Sequence, residues 1–472
     1  NIIDFVHKKK KGYDQMPDAT KSPGLGKQLF VLAFPLALQN IITYSVGLAD
    51  NIMVGKLGEF ALSGVYVANI IQTMLQMTVA GLSAGLIVLA SQYWGKKDIS
   101  SIKILTGFAL KLAIGLSLLL WGAVFFFPEK VLSLLTSDAD VMAEGVKYIR
   151  IICFTYVIFT TMNVLLASLR CVETVRIGMY LSLLALIANV FLNWVFIFGN
   201  LGAPALGVQG AALATLISRI LEMTVLIIYI HRFDRKLNIK VSDFLMSSRQ
   251  LRKDFIRYGL PVIIGDITWG INLSTQGAII GHLGAASIAA TSVANTVFSI
   301  VSVGVYGVAG ASAVIIGKTV GSGDYDLVRH YTKRLQLIFL CGGIITGAFL
   351  FSVKGPILSI YSSLDADTLR VSSQLLTVLS VTIVGTAYQM SSLTGIVRAG
   401  GATHFVLIND LIFVWLIVIP SAALAAFVFN APTWVVFACL KCDQVLKCAV
   451  AVVKVNRMKW IKNLTRETAA GH

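Results

Sequence analysis

Apolar stretches long enough to cross a bilayer recur along most of the chain, at 28–54, 60–92, 104–127, 146–169, 176–199, 208–231, 255–280, 286–318, 334–353, 371–396, 403–427 and 433–455, with short polar segments between them. A helix needs about 20 apolar residues to span hydrocarbon, so the pattern predicts about twelve membrane-spanning helices. The runs lack the period-two alternation of barrel strands, which excludes strand-based spanning. The expected class is an all-α integral membrane protein.

The pattern is also doubled. Residues 34–69 and 260–295 align without a gap at an offset of 226, sharing Pro35/Pro261, Gly55/Gly281, Leu57/Leu283, Gly58/Gly284 and Val67-Ala68-Asn69/Val293-Ala294-Asn295. Each copy begins the first strongly apolar run of its half. About six helices per copy return the chain to its starting side, so the copies should be parallel and related by an axis along the membrane normal, with a shared site between them. The expected layout is a tail at 1–27, a first lobe at 28–231, a polar link at 232–254, a second lobe at 255–455 and a tail at 456–472.

Composition agrees: 56% of residues are hydrophobic, 13% are charged, and the mean hydropathy is +0.80. Such a chain belongs in a bilayer. Placing both termini on the cytoplasmic side puts most of the 39 Lys and Arg inside, among them Lys8 to Lys11, Lys96, Lys97, Arg329, Lys333 and Arg334. The net charge of +16 therefore reads as a topology signal with a basic face toward anionic lipids, and not as a nucleic-acid footprint. The first apolar run reads as a span, without a cleavable signal, which points to the cytoplasmic membrane. Cys439 and Cys442 have a CxxC spacing but lie in a predicted span without a second pair, and the six histidines are scattered. Packing cysteines are expected, with no metal, no cofactor and no enzyme site.

Ionisable residues inside spans are costly and mark function. Asp50 lies in the first predicted helix and Asp266 in the seventh; in the repeat Asp50 aligns with Gln276, and Asp266 with Asn40. About ten helical residues, roughly 15 Å, separate the two aspartates in depth, with Asp50 toward the outer side. Asn189 and Asn193 are spaced i,i+4 on the fifth helix, where their amide oxygens would complete an ion shell with Asp50 or glue helices together. Asp410 on the eleventh helix serves a proton relay or a structural role. Arg219 with Glu222, and Asp443 with Lys447, have the spacing of structural ion pairs. Lys441 has no assigned partner.

The segments DNIMVGKLG from Asp50, Gly281-His-Leu-Gly284, NVFLNWVFIFG from Asn189, GAPALGVQGAALAT from Gly202, and Val397-Arg398-Ala-Gly-Gly-Ala-Thr403 resemble the multidrug and toxic compound extrusion family across nearly the whole chain. Leu169-Arg170 resembles the corresponding loop after the fourth helix, without its glycines. The resemblance implies a V-shaped carrier of two six-helix bundles. It would expel cationic, lipophilic compounds in exchange for H+ or Na+, as a monomer among membrane lipids. Asp50, Asn189, Asn193 and Thr215 match the polar set of one branch, although that branch often has a second aspartate at the place of Asn193. Asp266 matches the seventh-helix acid of another branch. That branch adds a tenth-helix acid that is missing here, with Asp410 as a candidate substitute. Substrate contacts are expected from Tyr44, Met53, Met74 and Met77 in the first lobe, and from Trp269, Asn272, Gln276, Tyr306 and Met390 in the second. A flippase for lipid-linked precursors is the alternative of similar architecture.

Overall fold

The computed structural model describes residues 24–361 and 365–466; Lys8 to Lys11, His7, His472 and the last residues of both tails lie outside them. Helices account for nearly all described residues. They run as α1 (Leu25–Gly55), α2 (Glu59–Gly95), α3 (Ile99–Phe126), α4 in two segments (Ala139–Ile152 and Thr155–Cys171), α5 (Arg176–Phe198), α6 (Val208–Arg232), α7 (Arg249–Gly281), α8 (Ala285–Gly321), α9 (Tyr325–Ile360), α10 (Ala366–Arg398), α11 (Thr403–Val428) and α12 in two segments (Thr433–Leu440 and Asp443–Asn456).

Among the described residues, nine helices are long and apolar enough to cross a bilayer, ten if the bent α4 pair is one span. The remaining two are α7 and α12. Polar residues such as Asp266, Asn272 and Gln276 dilute the hydropathy of α7, and a break shortens both segments of α12.

Local chemistry explains the helix ends. The duplicated turn after the first helix of each lobe closes on Gly58 (φ +113°) and Gly284 (φ +94°), a backbone region that side-chain-bearing residues rarely adopt. Asp98 and Asp324 cap α3 and α9 by accepting from the N–H groups of Ser101 (3.0 Å) and Leu327 (2.9 Å). Two breaks have no proline or glycine to announce them in the sequence. The α4 segments meet at 52° around Cys153 and Phe154, where the Thr155 hydroxyl donates to the Ile152 carbonyl at 2.6 Å. The predicted continuous twelfth helix is interrupted at Lys441 and Cys442.

The lobes approach one another most closely in the half of the molecule that carries the link 233–248. There a Cβ added at Gly81 would meet the Ile263 Cα at 2.8 Å, and one at Gly85 would meet the Gly259 Cα at 3.0 Å, bringing α2 against α7. Gly317 and Gly321 of α8 pack onto Ser91 and Gln92 of α2. Toward the other end Tyr44 and Met74 are exposed, and the lobes part. The resulting V has its closed end at the link.

The segment after α12 straps that closed end. The Lys462 N–H donates to the Gly400 carbonyl (2.8 Å), the Leu464 N–H to Gln92 Oε1 (2.7 Å), and the Arg466 guanidinium makes two bonds to Asp254 (2.7 and 2.8 Å). Trp460 is fully buried against Gly400, where any Cβ would strike its ring. The strap thus joins the end of the second lobe to α2 and the start of α7.

Candidate functional site

In the first lobe α1, α5 and α6 bring four polar residues together. The Asn193 Nδ2 amide donates to Asp50 Oδ1 and also to Asn189 Oδ1 at 3.2 Å. Asn189 Nδ2 donates to Thr215 Oγ1 at 3.2 Å, and the Thr215 hydroxyl donates to the Ala211 carbonyl at 3.1 Å. The i,i+4 spacing on α5 makes the two asparagines neighbours, as the helical repeat requires. Asn189, Asn193 and Thr215 are all buried. Asn193 Oδ1 is a buried acceptor without a hydrogen-bond partner among the described residues. An amide oxygen left this way beside a carboxylate suits a cation and costs free energy without one.

Two further residues lie within electrostatic range of Asp50. They are Tyr148, buried in α4, and Arg219 of α6. The Arg219 guanidinium is held by Glu222 at 2.7 Å and lies over the Phe159 ring at 5.4 Å, so the pair expected from the i,i+3 spacing is present. Tyr148 had no signal in the sequence, because only the packing of α4 against the other helices brings it near.

The second lobe handles its carboxylates differently. Asp266 on α7 pairs with Arg398 at 3.5 Å. Arg398 ends a π-helical turn, Leu393–Arg398, in which wider hydrogen bonding offsets the side chains that follow. Asp410 on α11 pairs with Lys447 at 2.8 Å, and the same ammonium reaches Asp443 at 3.2 Å. The Asp443–Lys447 pairing was expected from its spacing. The bond from Lys447 to Asp410 was not, since it joins residues on different helices. Arg170, read from the sequence as a loop residue, lies within α4 and donates to Gln39 Oε1 of α1 at 3.2 Å.

The candidate substrate residues divide into two sets. Tyr44 and Met74 are exposed, and Met53, Met77, Trp269, Tyr306 and Met390 are half-buried. Tyr44 and Tyr306 come within electrostatic range of each other across the lobes, and Met77 packs beside Gly270 of α7. Met53, by contrast, packs against the first lobe's own core. Asn272 and Gln276 are buried in α7, where Gln276 Nε2 donates to Asn272 Oδ1 at 3.1 Å. Among the described residues no group of His, Cys, Asp and Glu is arranged to hold a metal ion.

Comparison with known proteins identifies the fold and family. The chain is 24% identical over 452 residues to a protein named probable multidrug resistance protein NorM from Thermotoga maritima, covering 94% of this chain and 96% of the relative. It is 26% identical over 412 residues to a protein of the same name from Halalkalibacterium halodurans, covering 85% and 87%. Among solved structures, one described as MATE in the straight conformation superposes with a TM-score of 0.82 at 20% identity, over 92% of this chain and 96% of that one. The profile of the MatE family matches residues 35–195 and 267–424, one stretch in each lobe, and the chain belongs to that family.

Proposed function

We propose that this multi-pass transporter is a secondary antiporter. It exports cationic, lipophilic compounds in exchange for H+ or Na+, with Asp50 as the coupling carboxylate. The observation that carries this reading is the difference in partners among the acids inside the spans. Glu222, Asp266, Asp410 and Asp443 each have a basic nitrogen within 4 Å, whereas Asp50 has an amide and, beside it, the unpartnered oxygen of Asn193. A carboxylate already neutralised by a tethered cation has little to gain from a mobile one. Asp50 can take a proton, a Na+ shared with the Asn189, Asn193 and Thr215 oxygens, or the charge of a cationic substrate.

Coupling follows from competition. When the ion enters Asp50 from outside, it removes the charge that held the cationic drug, and the emptied carrier closes; linkage makes the effect reciprocal. The clustering of Lys and Arg near the link and strap supports a cytoplasmic closed end and a cleft open to the outside. The exposed Tyr44 and Met74 offer adaptable apolar surface to varied substrates. The relatives described above are named multidrug resistance proteins, and the lipid-precursor flippase reading draws no support from them.

Reconstituted liposomes test this directly. Ethidium should move against an imposed pH gradient or an imposed Na+ gradient, and whichever gradient drives it names the ion. Failure of both gradients to move the dye would defeat the antiport reading.

A further inference from the structure

At the repeat offset the first lobe's polar chain is only partly matched in the second lobe, where Asn189 and Asn193 correspond to Trp415 and Ile419. At the offset of 226, Asp50 corresponds to Gln276, and Thr215 corresponds to Lys441. A carboxylate has become a neutral amide, and a hydroxyl has become an ammonium. Lys441 sits at the interruption of α12, capping its first segment, where the terminal carbonyls of a helix favour positive charge.

The Lys441 side chain is buried, at 8% exposure, and has no carboxylate within 4 Å among the described residues. Its ammonium lies over the rings of Phe298 (5.3 Å, from α8) and Phe437 (5.6 Å). Asp443, two residues on, has its oxygens engaged by Lys447 at 3.2 Å and by the Gln444 amide at 3.0 and 3.1 Å. An ammonium carries three donors, and ring faces satisfy it only in part. Leaving such a group buried costs free energy that an arriving anion recovers. Two phenyl rings beside the charge make an organic anion a better fit than an inorganic one, because the apolar part of the ligand gains contact surface as its charge is paired.

We propose that Lys441 is an anion-recognition site of the second lobe that takes the carboxylate of an amphipathic, zwitterionic substrate. The substrate class rests on the drug-efflux reading above, while the site itself is a binding property that needs no gradient. Rhodamine 123 and rhodamine 110 are suitable probes, since they share a xanthylium cation and differ in that the first is a methyl ester and the second a free carboxylic acid. Fluorescence polarisation with the purified full-length protein in detergent should show Lys441→Met weakening rhodamine 110 by about tenfold, the scale of one charge-assisted hydrogen bond. Rhodamine 123 should be unchanged, and Lys441→Arg should retain binding of the acid. Equal losses for both dyes, or none for either, would overturn the proposal.

Competition on the wild-type protein covers the case in which Lys441→Met does not fold. Benzoate should displace rhodamine 110 and leave rhodamine 123 bound. Displacement by chloride as effective as that by benzoate overturns the organic-carboxylate assignment, and displacement by neither overturns the site. Selective benzoate competition together with gradient-insensitive transport would leave the site standing while antiport fails.

Discussion

The two lobes share a fold and differ in what they do with charge. In the first, Arg170 at the end of α4 reaches back to α1 and finds an amide, Gln39; in the second, Arg398 at the end of α10 reaches back to α7 and finds a carboxylate, Asp266. Further along the same helices the pattern reverses, with Asp50 bonded to Asn193 in the first lobe and Gln276 bonded to Asn272 in the second. The backbones differ too. Among the described residues, π-helical turns occur at Leu393–Arg398, Phe413–Val418 and Leu424–Val428, all in the second lobe. Duplication preserved the scaffold and let each copy place its carboxylate at a different depth. One carboxylate is paired with a protein cation, and the other accepts from an amide.

The sharpest way to break this comparison is to neutralise each acid in turn. Asp50→Asn should reduce gradient-driven ethidium transport by about a hundredfold or more, consistent with loss of a single obligatory ion site. Asp266→Asn should leave measurable coupled transport, because its charge is already met by Arg398. Coupled transport that survives Asp50→Asn and vanishes in Asp266→Asn would reverse the assignment of the lobes.

Lys447 sharpens the comparison from the other side. Its ammonium, with only 4% of the side chain exposed, bridges Asp410 and the equally buried Asp443, and so stands where a free cation would otherwise be needed. Lys447→Met should destabilise the protein by about 3 kcal/mol, since a buried carboxylate is left uncompensated. Thermal unfolding in detergent measures this, and added Na+ should restore part of the loss. An unchanged Tm would show that the network contributes no stability.

A smaller effect is expected from the pair between α7 and α10, whose side chains are partly exposed at 27% and 18%. Arg398→Gln should destabilise, and the double variant with Asp266→Asn should recover much of that loss, giving a coupling energy near ~1 kcal/mol in a double-mutant cycle. Additive losses would mean that the two groups do not interact.

The smallest effect lies in the link between the lobes. Burial raises the Asp243 carboxyl, but hydrogen bonds from Lys103 (2.8 Å) and the Lys240 N–H (2.8 Å) outweigh it and hold the group below the ordinary aspartate range. A depressed folded pKa contributes stability that is present above the unfolded value and is lost as pH falls through the folded one. Protection of the link's backbone amides from hydrogen exchange should therefore weaken on acidification below about pH 4, the ordinary aspartate value, and Asp243→Asn should remove that dependence.

Much of the site was legible because the helical period is local. Asn189 and Asn193 one turn apart, Arg219 with Glu222 and Asp443 with Lys447 are neighbours on any straight helix, and an aspartate inside an apolar run announces itself by its cost. Asp410 bonded to Lys447, Asp266 to Arg398 and Tyr148 in the field of Asp50 were not legible, because each joins helices far apart in the chain. The breaks at Cys153 and Lys441 were equally silent, having no proline or glycine to mark them.

By itself, then, the sequence determined that the chain spans a membrane, that it is doubled, where the spans lie and which side chains are too costly to be there by accident. These follow from the transfer energy of residues into hydrocarbon and from a repeat that needs no coordinates to see. Only the tertiary structure decided which carboxylate is paired with a protein cation and which is bonded to an amide. That depends on the few ångströms between groups on different helices, set by close glycine packing, widened π-turns and the Lys441 break. At those distances Coulomb attraction in a low-dielectric interior decides whether a charge is already satisfied.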